Sequence, residues 1–124
     1  MATLDNALKQ RLEHLFGMQS GYVLDFNNST FQDFILTSVD IDIDAHYMGS
    51  KASRLRQFWQ NESDVVVSKV MLEMLDRWQT NKLMSGDQIT QKEQLLYDQA
   101  KASLENTTPE RDTTEPSELD KQFL

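Results

Sequence analysis

The sequence predicts a mainly α-helical protein, a small bundle of about five helices with either a minor two-stranded contact or an extended segment. Two observations indicate this class. Apolar side chains in the middle of the chain recur at helical spacing, whereas the alternation that is typical of a strand is confined to residues 22–26. The central apolar stripe consists of Val66, Val67, Val70, Met71, Met74, Leu75 and Trp78.

The first helix is predicted over residues 4–16, where the apolar side chains share one edge. Gly17 follows at the position where a helix often ends in a left-handed residue. The apolar edge consists of Leu4, Leu8, Leu12, Leu15 and Phe16.

Residues 22–26 alternate, with Tyr22, Leu24 and Phe26 on one side. This pattern predicts either a short strand or an extended segment that lies on the core. Residues 39–43 are the segment that could pair with such a strand, and an isolated pair of strands is marginal unless helices cover it.

Two capping boxes predict the starts of further helices, because in each the two side chains satisfy each other's backbone donors. Ser29 with Gln32 opens the second helix, and Thr90 with Glu93 opens a last helix over residues 90–105. The side chains predicted to face the core are Phe31, Phe34 and Ile35 in the former, and Leu96, Ala100 and Leu104 in the latter.

The chain between them predicts two consecutive helices. Ser50 can cap a short one over residues 50–59, and Ser63 or Asp64 can cap the long one that carries the central stripe. The stripe ends at Trp78, and the helical spacing of apolar residues is less regular after it. The polar face of the long helix is predicted to carry Ser68, Lys69, Glu73, Asp76 and Arg77.

The predicted domain organisation is a compact helical domain over residues 1–105 and a flexible acidic linker or tail over residues 106–124. The tail is rich in threonine, proline and acidic residues, and such a segment cannot bury enough apolar surface to order itself. Its apolar end, Leu119, Phe123 and Leu124, resembles the start of a further element.

Composition narrows the classes of function. The formal net charge of −8 argues against non-specific binding of nucleic acid. The chain has no cysteine, which excludes disulfides, thiolate metal sites and cysteine nucleophiles. No run of apolar residues is long enough to span a membrane, and the N-terminus lacks the pattern of a signal peptide. We therefore expect a cytoplasmic protein that does not associate with membranes.

Neither a metal site nor a catalytic site is predicted. Asp40, Asp42 and Asp44 have the spacing that opens a calcium loop, but Ala45 stands where that loop needs glycine and Lys51 where it needs an acid. No nucleotide-binding, metalloprotease or hydrolase motif occurs. His46, beside Asp44, is the better placed of the two histidines for acid–base chemistry. We expect no enzyme, no metal and no cofactor.

The residues predicted to bind a partner are Tyr47, Lys51, Arg54 and Arg56, which we call the contact set. The three cations form the concentrated positive charge of the chain and could bind phosphate or an acidic protein surface. The alternative is a solvated helix face whose cations pair with the aspartates just upstream. A second hypothesis for function is a nucleic-acid-binding domain that uses the basic helix 50–59.

Several short stretches of the sequence carry a resemblance: residues 15–18, 21–26, 30–31, 40–44, 50–52 and 54–56, with Tyr47 and Trp78. Together they resemble a bacterial module found in abortive-infection-type and related uncharacterised defence proteins. The resemblance covers roughly residues 8–105 and implies a helical domain that is followed by a linker and a second helical domain. It favours a non-enzymatic interaction or oligomerisation module that couples to an effector or partner protein, with self-association as one mode.

Overall fold

The computed structural model describes residues 4–107, and this part of the chain is mainly helical, which confirms the predicted fold class. Within these residues there are six α-helices and no strand. No helix in this range is both long enough and apolar enough to cross a membrane. The helices are α1 (Asn6–Phe16), α2 (Asn28–Val39), the single turn α3 (Ile43–His46), α4 (Lys51–Asn61), α5 (Asp64–Ser85) and α6 (Gln91–Thr107).

Residues 22–26 form a turn and loop, so the two-stranded alternative is wrong for this segment. Val23 and Phe26 are buried whereas Tyr22 is 59% exposed, so Tyr22 and Phe26 do not share one side as predicted. The period breaks because Leu24 adopts a left-handed conformation with a φ of 52°. Its N–H donates to the carbonyl of Phe16 at 2.8 Å, so the segment closes the end of α1.

The start of α2 differs from the prediction by two residues. The capping box is formed by Asn27 and Thr30: the Asn27 side chain accepts from the Thr30 N–H at 2.8 Å, and the Thr30 hydroxyl accepts from the Asn27 N–H at 2.9 Å. Ser29 with Gln32 is therefore not the cap. Gln32 instead donates to Asp42 at 2.7 Å and connects α2 to the start of α3.

The other predicted caps are confirmed. Ser50 and Ser63 each accept a hydrogen bond from a backbone N–H in the first turn of α4 and α5. Thr90 and Glu93 satisfy each other's backbone N–H groups at 3.0 and 3.1 Å. Gly17 ends α1 in the left-handed conformation with a φ of 66°. Local sequence alone therefore fixes most of the helix boundaries.

Helix α5 provides the largest part of the core and packs against both α2 and α6, while α6 also packs against α1. Ser68, predicted for the polar face, is buried, and Val66 is half-buried. The Trp78 ring stacks on Tyr97 of α6 with a centroid distance of 5.7 Å. The buried members of the predicted stripe are Val67, Val70, Met71, Met74, Leu75 and Trp78.

Helix α5 continues past Trp78, beyond the predicted apolar stripe, and ends where Gly86 adopts a left-handed conformation with a φ of 78°. Its last turns are connected to the start of α6 by an ion pair between Lys82 and Glu93 at 3.2 Å. The predicted tail, residues 106–124, lies outside the described residues from residue 108 onward.

We expect Met74→Ala to lower the free energy of unfolding by about 2–5 kcal/mol, because it leaves a cavity in a fully buried part of α5. Leu83→Ala, on the same helix but at an 80% exposed position, should change it by less than about 0.5 kcal/mol. Urea unfolding followed by circular dichroism measures both. Equal losses for the two variants would contradict the observed burial of α5.

Candidate interaction surfaces

The predicted contact set lies on α4 and in the loop before it. The N–H of Ala52 donates to the carbonyl of Gly21 at 3.1 Å, which holds the start of α4 against the turn after α1. The four residues of the contact set nevertheless differ in their environment, and each is described in turn.

Arg54 is buried, with 7% of its surface exposed, so the expectation that it belongs to an exposed contact set is wrong. Its Nη1 forms an ion pair with Asp44, and its Nη2 donates to Oδ1 of Asn28 at 2.7 Å. The guanidinium carbon lies 5.6 Å from the centroid of the Phe31 ring. Arg54 therefore connects α4 to α2 and α3, which agrees with the alternative that α4 cations pair with upstream aspartates.

The two other cations of α4 are also engaged by the protein. Nε of Arg56 lies 3.1 Å from Oε2 of Glu13, an ion pair that connects α4 to α1. Nζ of Lys51 lies 4.9 Å from the centroid of the Tyr22 ring, in the geometry of a cation–π contact. Of the three cations, Lys51 is the one without an ion pair among residues 4–107.

The hydroxyl of Tyr47 donates to Oε2 of Glu62 at 2.6 Å, which connects the loop before α4 to the residue after it. Burial, and then this hydrogen bond and the charge of Glu62, raise the pKa of Tyr47 to about 12. The phenol therefore stays protonated at neutral pH and is a poor base. His46 is exposed, and its ring centroid lies 6.1 Å from that of Tyr47.

The three alternating aspartates have three separate structural roles. Asp40 ends α2 in a left-handed conformation, Asp42 caps α3, and Asp44 pairs with Arg54. The hydrogen bond from Gln32 is the main cause that lowers the pKa of the Asp42 carboxyl. Among residues 4–107 no group of three or more acidic or histidine side chains is placed to hold a metal ion.

A second surface lies at the end of α5, where the adjacent side chains of Leu83 and Met84 are each 80% exposed. Two surface depressions adjoin Met84. One, of about 540 Å³, has Leu24 and Trp78 in its wall, and the other, of about 720 Å³, has Phe34 and Leu72. Leu83 lines a third, neighbouring depression of about 340 Å³. We call the surface formed by the following apolar side chains of these depressions the α5 groove: Leu24, Phe34, Leu72, Trp78, Leu83 and Met84.

The cations along the α5 groove are each engaged by a carboxylate. Nε of Arg77 lies 3.3 Å from Asp25, and Nζ of Lys69 lies 3.4 Å from Glu73. Lys82 pairs with Glu93, whose pKa is lowered mainly by the hydrogen bond from the Thr90 N–H. The positive charge near the groove is therefore balanced within the domain.

Three exposed carboxylates of the same region, Asp33, Asp76 and Asp87, have no ion pair with any residue in the described part of the chain. Asp76 lines the depression between Phe34 and Met84, and Asp87 lines the one between Leu24 and Met84. Asp33 lines a further depression on the other side of Phe34. The α5 groove thus combines an apolar floor with an acidic rim.

Sequence analysis missed the α5 groove because Leu72, Leu83 and Met84 lie off the apolar stripe that ends at Trp78. One feature of the sequence could have extended the predicted helix beyond Trp78. Gly86 is a glycine of the kind that often ends a helix in the left-handed conformation. A helix that reaches this glycine places Leu83 three turns after Leu72 on the same face. Leu24 and Phe34 belong to other segments of the chain. Nothing in the sequence near either residue indicates that it lies beside the end of α5.

We expect Arg54→Met to lower the free energy of unfolding by at least about 2 kcal/mol, because Asp44 and Asn28 lose a buried charged partner. Arg56→Met removes a more exposed ion pair and should cost about 1 kcal/mol or less. Urea unfolding of both variants measures the difference. A cost for Arg56→Met as large as that for Arg54→Met would show that Arg54 is not the structural residue of the pair.

No protein-family model, no curated protein and no solved structure matches the chain. The resemblance to modules of abortive-infection-type proteins therefore stays a prediction from the sequence, and the site is interpreted from its own geometry.

Proposed function

We propose that this domain is a non-enzymatic protein-interaction module and that the α5 groove is its docking surface. The observation that carries the proposal is the exposure of Leu83 and Met84, two adjacent apolar side chains that are each 80% exposed. Met84 lies between two of the depressions, and Leu83 lines the third. An exposed apolar patch with a polar rim is typical of an interaction site. Methionine in particular is enriched at the centre of protein interfaces.

The energetics favour a partner at this surface. Covering a leucine or methionine side chain contributes roughly 1.5–3 kcal/mol. Two such residues at the centre of a small interface can provide the dominant share of its binding free energy, because a few central residues usually do so. The adjoining depressions offer room for side chains of a partner on both sides of Met84.

The contact set on α4 supports an interaction surface less strongly. Arg54 is paired with Asp44 and hydrogen-bonded to Asn28, and Arg56 is paired with Glu13. The same pairs weaken the alternative of a nucleic-acid-binding helix, because a cation must be free to contact a phosphate and displace the counterions that the nucleic acid holds. Lys51 is the residue of the contact set that still suits either role.

A cytoplasmic location remains part of the proposal and is supported by the composition of the chain. A role in a bacterial abortive-infection-type protein is also proposed, and the sequence resemblance is what supports it. The absence of catalysis is likewise proposed. It is supported by the protonated phenol of Tyr47, which is held by Glu62, and by the exposed position of His46.

The proposal can be tested by placing a photo-crosslinking amino acid at position 84 in the full chain, expressed in cells of the organism that carries the gene. We expect one discrete crosslinked protein species, which is lost when Leu83→Gln is added. The matched control is position 48, because Met48 is 83% exposed and lies outside the α5 groove. Equal crosslinking from positions 48 and 84, or none from either, would contradict a docking role for the α5 groove.

A further inference from the structure

The partner that fits the α5 groove can be specified by its chemistry. We infer that the groove takes a cationic amphipathic helix of a partner protein, with apolar side chains on the floor and lysine or arginine against the acidic rim. This inference rests on the proposed function and adds the class of partner to it.

The shape of the surface favours a helix. One depression of the groove runs beside α5 and is lined by both Leu72 and Met84. These two residues are separated by about three helical turns, or about 18 Å. An amphipathic helix in such a groove contacts it with apolar residues on successive turns. Residues 4–107 contain no strand, so this part of the chain offers no sheet edge to which an extended peptide could add.

The charge of the rim selects a cationic partner. Asp76 and Asp87 on the rim, and Asp33 in the depression next to it, are exposed and have no ion pair within the described residues. Lys69, Arg77 and Lys82, in contrast, are each engaged by a carboxylate. A basic helix would therefore meet unpaired negative charge, and an acidic one would be repelled. Complementary charge of this kind increases the association rate and rejects wrong partners.

The chain itself is a poorer match for the groove. Two copies would bring the same acidic rims together, and the formal net charge of −8 adds to that repulsion. Residues 106–124 carry five acidic and two basic side chains, so this segment has the wrong sign for the rim. A separate basic protein segment is the occupant that the charges favour.

The test uses a display library of amphipathic helices of about five turns, with leucine and phenylalanine fixed on one face. The polar positions are randomised among lysine, arginine, aspartate, glutamate, serine and glutamine, so the library has no bias in charge. Selection is against the full chain at physiological ionic strength, after depletion with the Leu83→Gln/Met84→Gln variant. We expect the recovered helices to be enriched in lysine and arginine.

The affinity of one recovered peptide for variants of the chain, measured by fluorescence anisotropy, then tests which carboxylates contribute to binding. Asp76→Asn/Asp87→Asn should weaken its binding about fivefold, in line with the modest energy of exposed ion pairs. The matched control, Asp98→Asn/Glu105→Gln on α6, changes the net charge equally and should leave binding within about twofold. Leu83→Gln/Met84→Gln should weaken it at least tenfold, and Met48→Gln should not.

The inference and the proposed function can fail separately. Recovered helices that need Leu83 and Met84 but are neutral or acidic would overturn the inference and leave the proposed function standing. The same holds if no helix is recovered and the chain instead forms a dimer that Leu83→Gln/Met84→Gln dissociates. Helices that bind both the chain and the Leu83→Gln/Met84→Gln variant, or equal weakening by the two charge variants, would also overturn it.

Discussion

Burial of one face of α5 over residues 67–78 is the constraint on which the rest of the structure depends. Helices α2 and α6 both pack on α5, and α1 joins the core by packing on α6. This burial ends at Trp78, although the helix continues as far as its left-handed cap at Gly86. In this last part, Lys82 pairs with Glu93 near the start of α6. The last turns of α5 are therefore helical and yet expose apolar side chains.

The distribution of charge follows from the same arrangement. The cations of α4 connect helices: Arg54 reaches α2 and α3, and Arg56 reaches α1. The basic residues of α4 look like a binding patch in the sequence. In the structure, two of the three, Arg54 and Arg56, instead hold short helices together. The carboxylates at the end of α5 are not needed for such connections, and this leaves an acidic surface beside the exposed Met84.

Much of the fold follows from local sequence, because helix faces and caps are set by residues within a turn or two of one another. The stripe of α5 and the caps at Ser50, Ser63 and Thr90 are of this kind. The burial of Arg54 does not follow from local sequence, because its partner Asn28 is 26 positions away. The α5 groove also escaped prediction, because its walls come from three separate segments. The unusual conformation of Leu24 has no sequence signal that we can identify.

The central claim is that α5 remains helical beyond its buried part and holds Leu83 and Met84 outside the core. Amide hydrogen exchange measured residue by residue tests it most directly, because protection reports local opening. We predict that amides of residues 67–78 exchange only through global unfolding, and that those of residues 81–85 are protected through a smaller opening free energy. Exchange of residues 81–85 at the rate of an unfolded chain would contradict the claim.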